Sequence, residues 1–166
     1  MTTGLDLPEL WVETNLSELV RIVRGVTYKK AESSGEAADG LLPVLRANNI
    51  QDGQLVFDDL VYVPSSSISD VQRIRRGDVV VAMSSGSRKV VGKTARALDD
   101  WQGGFGAFCG VLRPSEHVDN RYVAWFTGSR GYRSAVSELA AGVNINNLKP
   151  SHFEQIRVPL PPLEEQ

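Results

Sequence analysis

The chain has 166 residues, 42% of them hydrophobic and 23% charged, which suffices for one domain that hides roughly 70% of its unfolded surface. Its 18 basic and 20 acidic residues leave a formal charge of −2, so it is not the strongly basic kind of protein that coats any polyanion. No apolar run approaches the roughly 20 residues of a membrane span, the start MTTGLDLPELW lacks the basic and apolar regions of a secretory signal, and the one cysteine, Cys109, can form no internal disulfide. These features predict a cytoplasmic protein with no membrane partner.

In chain order, Leu7 to Gly25 predicts a strand around Trp11 and Val12. A short helix follows, capped by Asn15 or Ser17, with Leu16, Leu19, Val20 and Val23 at helical spacing. Ala31 to Gly40, small, polar and acidic, reads as a mobile surface loop. LLPVLRANNI is a strand entering a polar turn, QLVFDDLVYV one or two short strands, and SSISDVQRI a capped helical turn or two. Asp78 to Met83 is continuously apolar and β-branched after its first residue, the pattern of a strand buried on both faces. VVGKTARAL and FGAFCGVLR predict two further strands separated by DDWQGG. Asp119 caps a helix burying Tyr122, Trp125 and Phe126, and Ser129 caps a second burying Tyr132, Val136 and Leu139. A loop, AAGVNINN, leads to a short helix with Pro150 in its first turn, and the chain leaves through IRVPLPPLEEQ. With no internal repeat, the sum is a single α+β domain: a curled, mostly antiparallel or mixed β-sheet with several short helices.

The stretch SGSRKVVGKT resembles a phosphate-binding loop at its end, Gly92-Lys93-Thr94. Its first position is Ser87 instead of glycine, Val90 and Val91 favour extended backbone, and no long helix can follow before Gly103-Gly104. His117 and His152 lie in different segments and, with a lone Cys109 that reads as a small buried hydrophobe, form no metal-ligand spacing. Asp58-Asp59 and Asp99-Asp100 are adjacent acids of the kind that solvate turns. No catalytic motif is present.

Three donor-rich loops remain. RANNI offers Arg46, Asn48 and Asn49; SSGSRK offers Ser84, Ser85, Ser87, Arg88 and Lys89, with Lys93 just beyond; GVNINN offers Asn144, Asn146 and Asn147, with Lys149 behind them. Arg can chelate a guanine edge, Asn an adenine edge, and Ser and Lys can hold phosphates. Asn and Ser are also ordinary turn residues, so each loop alone reads as structural; three together in an apolar framework point to duplex DNA. Ser84 to Arg96 and Gly142 to Ser151 contain no acid, whereas acids collect at Asp52, Asp58, Asp59, Asp99, Asp100, Glu164 and Glu165.

Four segments, LDLPELWVETNLSELV, LLPVLRANNIQDGQL, RRGDVVVAMSSGSRKVVGKTA and VNINNLKPSHFEQIRVPLPPLEEQ, occur in the order seen in target recognition domains of type I restriction-modification specificity subunits. The chain resembles that family over nearly its whole length, with Leu10 departing from a glycine often found before Trp11. The resemblance implies a non-catalytic module that binds one half of a bipartite double-stranded DNA target, presenting Ser85, Ser87, Arg88, Lys89 and Lys93 to it. It implies methyltransferase and restriction subunits as partners, and these, not this chain, would carry S-adenosylmethionine, ATP and magnesium. Residues 1–160 would then be the recognition domain and 161–166 the start of a truncated spacer helix, leaving this chain a monomer. The competing expectation is a non-catalytic protein-interaction or scaffold domain whose surface, including a polyproline-like VPLPPLEEQ, docks on a methyltransferase or regulator without reading bases.

Overall fold

The computed structural model describes residues 6–141 and 146–166. Strand β1 spans Val12–Asn15, helix α1 Leu16–Leu19, β2 Val20–Arg24, β3 Leu41–Leu45, β4 Ile50–Gln51, β5 Gln54–Leu55, β6 Val61–Pro64, β7 Val79–Ala82, β8 Thr94–Arg96, β9 Gly104–Phe105 and β10 Cys109–Pro114. Helices α2 (Asn120–Thr127), α3 (Arg130–Ala141) and α4 (Pro150–Phe153) follow, and β11, Arg157–Leu160, comes last. No helix among the described residues is long and apolar enough to cross a membrane.

The central sheet runs β2-β10-β7-β8, antiparallel throughout. Its middle strand shows why the sequence there is continuously apolar. Val79 and Val81 face a cluster made with Leu16, Phe126, Tyr132 and Phe153 from the helices. Val80 and Ala82 face the opposite cluster, with Leu45, Ile74 and Phe105. All four are fully buried, and a valine so buried stabilises by about 1.5–3 kcal/mol. The second sheet, β6-β3-β9, is mixed: β3 pairs antiparallel with β6 and parallel with β9. An isolated parallel bridge between Val26 and Gly106 links the two sheets at their β2 and β9 edges. The chains approach so closely there that a Cβ on Gly25 would lie 2.0 Å from the Gly106 carbonyl oxygen. The architecture is the expected α+β mixture of antiparallel and mixed sheets with short helices.

Several local expectations need correction. The helix after β1 is a single turn, and Val20 to Arg24 is a strand instead. Val20 already has extended backbone (φ −136°, ψ 147°), and Val20 and Ile22 pack on the helical side of the sheet while Val23 packs on the other. A strand buried on both faces thus imitates helical spacing. Trp125 is 65% exposed and Val123 takes its place in the core, with the indole resting on Tyr122 at 5.7 Å between ring centroids. VVGKTARAL is extended only from Thr94, because Val90 and Val91 lie in a turn. The Ala31 to Gly40 segment is clasped at its middle, where Ser34 and Tyr62 exchange backbone hydrogen bonds of 2.9 and 2.8 Å. The closing segment is also structural, since Arg157–Leu160 pairs antiparallel with β1. Beyond it the Trp11 indole N–H donates to Glu165 at 2.9 Å, and the Asp119 N–H donates to the Gln166 side chain at 2.9 Å.

Asp78, at the head of β7, is 1% exposed and is held by Arg113 of β10 in a two-pronged ion pair, Nε to Oδ1 and Nη2 to Oδ2, both 2.8 Å. The guanidinium also donates to the carbonyls of Val71 (3.0 Å) and Arg73 (3.1 Å), and Asp78 accepts the Arg75 N–H at 2.8 Å. One buried pair therefore ties the sheet to the loop that precedes it.

Candidate nucleic-acid interface

Beyond the end of β7 three separate segments meet. Ser84 forms an antiparallel bridge with Asn147, Leu148 N–H donates to Met83 O at 2.6 Å, and Ser85 N–H donates to Asn146 O at 3.1 Å. The Ser84 hydroxyl donates to the Asn147 side-chain oxygen, and the Leu148 side chain is buried in the helical core cluster. From the third segment, the Phe108 carbonyl accepts both Met83 N–H (2.9 Å) and Ser84 N–H (3.0 Å). Met83, Ser84, Phe108, Asn147 and Lys149 line one crevice of about 410 Å³.

The basic stretch leaves this junction as a turn. Ser85 Oγ accepts Ser87 N–H at 3.2 Å, and the turn is braced from behind by α3. The Arg133 guanidinium donates to Val91 O (2.9 Å) and Lys89 O (3.1 Å), and the buried Tyr132 hydroxyl donates to Gly92 O at 2.9 Å; burial pushes that phenol's pKa up. Gly92 has φ +83°, and a Cβ there would sit 2.6 Å from Val136 Cγ1, so glycine is required for backbone and packing alike. The resemblance to a phosphate-binding loop ends here. Thr94 begins a strand and turns its hydroxyl inward to Thr127, 3.1 Å from that hydroxyl, where it cannot serve a magnesium ion.

Ser85, Ser87, Arg88, Lys89, Asn146 and Lys149 are thus gathered on one edge, with exposed Lys93 where the turn re-enters the sheet. Among the described residues, none of Arg88, Lys89, Lys93 and Lys149 has an ion-pair partner. Asn144 lies outside the described residues. The third loop is organised differently. The Arg46 guanidinium donates to the Asp59 carbonyl (2.7 Å) and carboxylate (3.0 Å), and Asn48 donates to the same carboxylate at 3.3 Å. Asn49 is turned inward, 1% exposed: its oxygen accepts Arg46 N–H at 2.8 Å and its amide donates to Val56 O and Asp58 O. It closes the turn and offers nothing outward. The Arg46–Asp59 pair is solvent-exposed, a type worth only about 0–1 kcal/mol, so a stronger anion could compete for Arg46.

His117 is exposed, and His152 accepts the Lys149 N–H on Nδ1 at 3.1 Å, capping α4. Cys109 is buried, and loss of solvent pushes its thiol pKa up to about 12. In sequence, the Tyr132-Arg133 pair of a helix looks like one core and one surface position, which conceals its bracing role; GAFCG reads as core throughout, which conceals the exposure of Phe108.

The pattern of the type I restriction modification DNA specificity domain matches residues 8–166. The chain belongs to this family. As a specificity domain it is 48% identical over its full length to the type I restriction enzyme EcoKI specificity subunit of Escherichia coli K12, covering 36% of that protein. It is 47% identical over 96% of its length to the StySPI specificity subunit of Salmonella potsdam, covering 35% of it. Among solved structures, the HsdS subunit from Thermoanaerobacter tengcongensis superposes with a TM-score of 0.72 at 21% identity, over 98% of this domain and 36% of that chain. The domain therefore spans little more than a third of the relatives it matches.

Proposed function

We propose that this specificity domain reads one half of a bipartite duplex DNA target. The observation that carries the proposal is the edge at the end of β7, where exposed serine, asparagine, arginine and lysine side chains from distant segments converge with no acid between Ser84 and Arg96. Donors of this mixture hydrogen-bond base edges and phosphates. The domain itself performs no chemistry on the DNA; methyl transfer from S-adenosylmethionine and restriction driven by ATP and magnesium belong to methyltransferase and restriction subunits that it directs. Gln166 N–H bonds to Pro162 O four residues back, at 3.2 Å, which supports a spacer helix opening after Pro161-Pro162.

The test is selection of the purified chain on a randomised duplex library at low and moderate salt, with an Arg88→Ala, Lys89→Ala variant alongside. The expected result is a short enriched motif that fades in the variant. On that motif the variant should also lose salt dependence, its slope of log affinity against log salt being shallower by up to about 1.8, or roughly 0.9 for each phosphate contact. No enrichment at any salt refutes the reading.

A further inference from the structure

Among the described residues, seven large apolar side chains are well exposed: Leu10, Val12, Phe57, Leu98, Phe108, Trp125 and Leu163. Phe57 rests on Trp101 at 5.0 Å between centroids and Trp125 rests on Tyr122, while Leu10 and Val12 lie at the start of the β1 ribbon and Leu163 in the turn after β11. Phe108 differs in its company. It is 71% exposed and shares a crevice with Ser84, Asn147 and Lys149.

Its placement is fixed by backbone rather than by side-chain contacts. Cys109 N–H donates to Gly106 O at 2.9 Å, closing a tight turn, and the Phe108 carbonyl holds both Met83 and Ser84. The ring therefore projects from the same hydrogen-bonded junction that fixes the polar edge. The polar side chains beside it in the crevice, Ser84, Asn147 and Lys149, suit nitrogen and oxygen atoms on base edges and phosphates. None of them complements a methyl group, and the 5-methyl of thymine is the one apolar feature of the major-groove surface. An exposed phenyl ring does complement it, and burying the two against each other removes apolar area from water.

Resting on the DNA-reading function above, we propose that Phe108 is a specificity-determining contact that packs against the 5-methyl group of a thymine in the target half-site.

The experiment uses the purified chain and the duplex selected above. Each thymine is replaced singly by deoxyuridine, which removes only the methyl, and affinities are measured for the parent, Phe108→Ala, Phe108→Leu and the Arg88→Ala, Lys89→Ala variant. The expected outcome is one position at which uridine weakens the parent about four-fold, the worth of roughly one buried methylene-sized group. Phe108→Ala should bind the thymine duplex about as weakly as the parent binds the uridine duplex and be indifferent to the exchange, whereas Phe108→Leu should keep part of the discrimination. A parent indifferent to every exchange, a Phe108→Ala variant that discriminates as the parent does, or a selected motif with no thymine overturns the proposal. In those cases a loss of binding in the Arg88, Lys89 variant still supports DNA reading. A parent that retains no duplex overturns both.

Discussion

Replacing Arg113 by methionine removes the guanidinium while keeping much of the aliphatic volume. Asp78 is then left 1% exposed with a negative charge and a single backbone donor, Arg75 N–H, and the Val71 and Arg73 carbonyls lose their partner. Breaking a buried pair from one side costs about 3–5 kcal/mol, because the surviving charge has lost both water and its counter-ion. The Arg113 side chain keeps 13% exposure, so some water can reach the vacated space, which places the expected loss at about 3–4 kcal/mol. For a chain of this size that lowers the melting temperature by about 6–16 °C. Thermal and urea unfolding followed by circular dichroism measure it. An Asp78→Asn, Arg113→Met double variant removes the stranded charge and should be more stable than the sum of the two single losses predicts, by about 0.5–3 kcal/mol. A melting shift below 2 °C in Arg113→Met, roughly 1 kcal/mol or less, or strict additivity in the double variant, would refute the claim that the pair ties sheet to loop.

Gly92→Ala places a Cβ 2.6 Å from Val136 Cγ1 at φ +83°, and a strained left-handed residue costs about 1–3 kcal/mol. Its melting temperature should fall, and binding to the selected duplex should weaken because the basic turn is displaced; an unchanged melt would contradict the packing described. Cys109, with its thiol raised to about 12 by burial, should resist a disulfide exchange reagent at pH 8 in the folded chain and react promptly in urea. The folded pKa lies above the unfolded one, so the neutral thiol contributes stability that is complete below about pH 8.5 and declines as pH rises beyond it; Cys109→Ala should abolish that part of the alkaline decline. Asp119 pairs with the Arg121 guanidinium at 2.6 Å and accepts the Arg121 N–H at 2.8 Å, and these bonds, the guanidinium's first, hold its carboxyl below the usual carboxylate range. Its ionised form therefore contributes stability above about pH 4 that is lost as pH falls through the depressed value. Asp119→Ala should cost about 1 kcal/mol at pH 7 and show a flatter acid limb, as read by melting temperature against pH.

Features set by neighbouring residues were legible from sequence. The β7 run, the Asp119 cap and Pro150 at the head of α4 all follow from local chemistry. What depends on distant partners was not. The donors of Asn49 look the same in sequence as those of Asn48, yet only Asn49 meets Val56 and Asp58 across the turn. Phe105 and Phe108 sit in one apolar segment, and the sheet buries the first completely while leaving the second 71% exposed. Ser84 and Asn147 are 63 residues apart, and nothing near either announces the bridge.

On the proposed DNA-reading function, that bridge sets the unit in which base preference can be exchanged between relatives. Residues 84–93 take their course from Asn146, Asn147 and Leu148 on one side and from the Phe108 carbonyl on the other, with Arg133 beneath. A graft of one loop would carry side chains onto a junction shaped for another set. Residues 84–93, 106–108 and 146–149 have to travel together, with the tyrosine and arginine of α3 as the footing of the first, whereas the Arg46 corner, closed on Asp59, can be exchanged by itself.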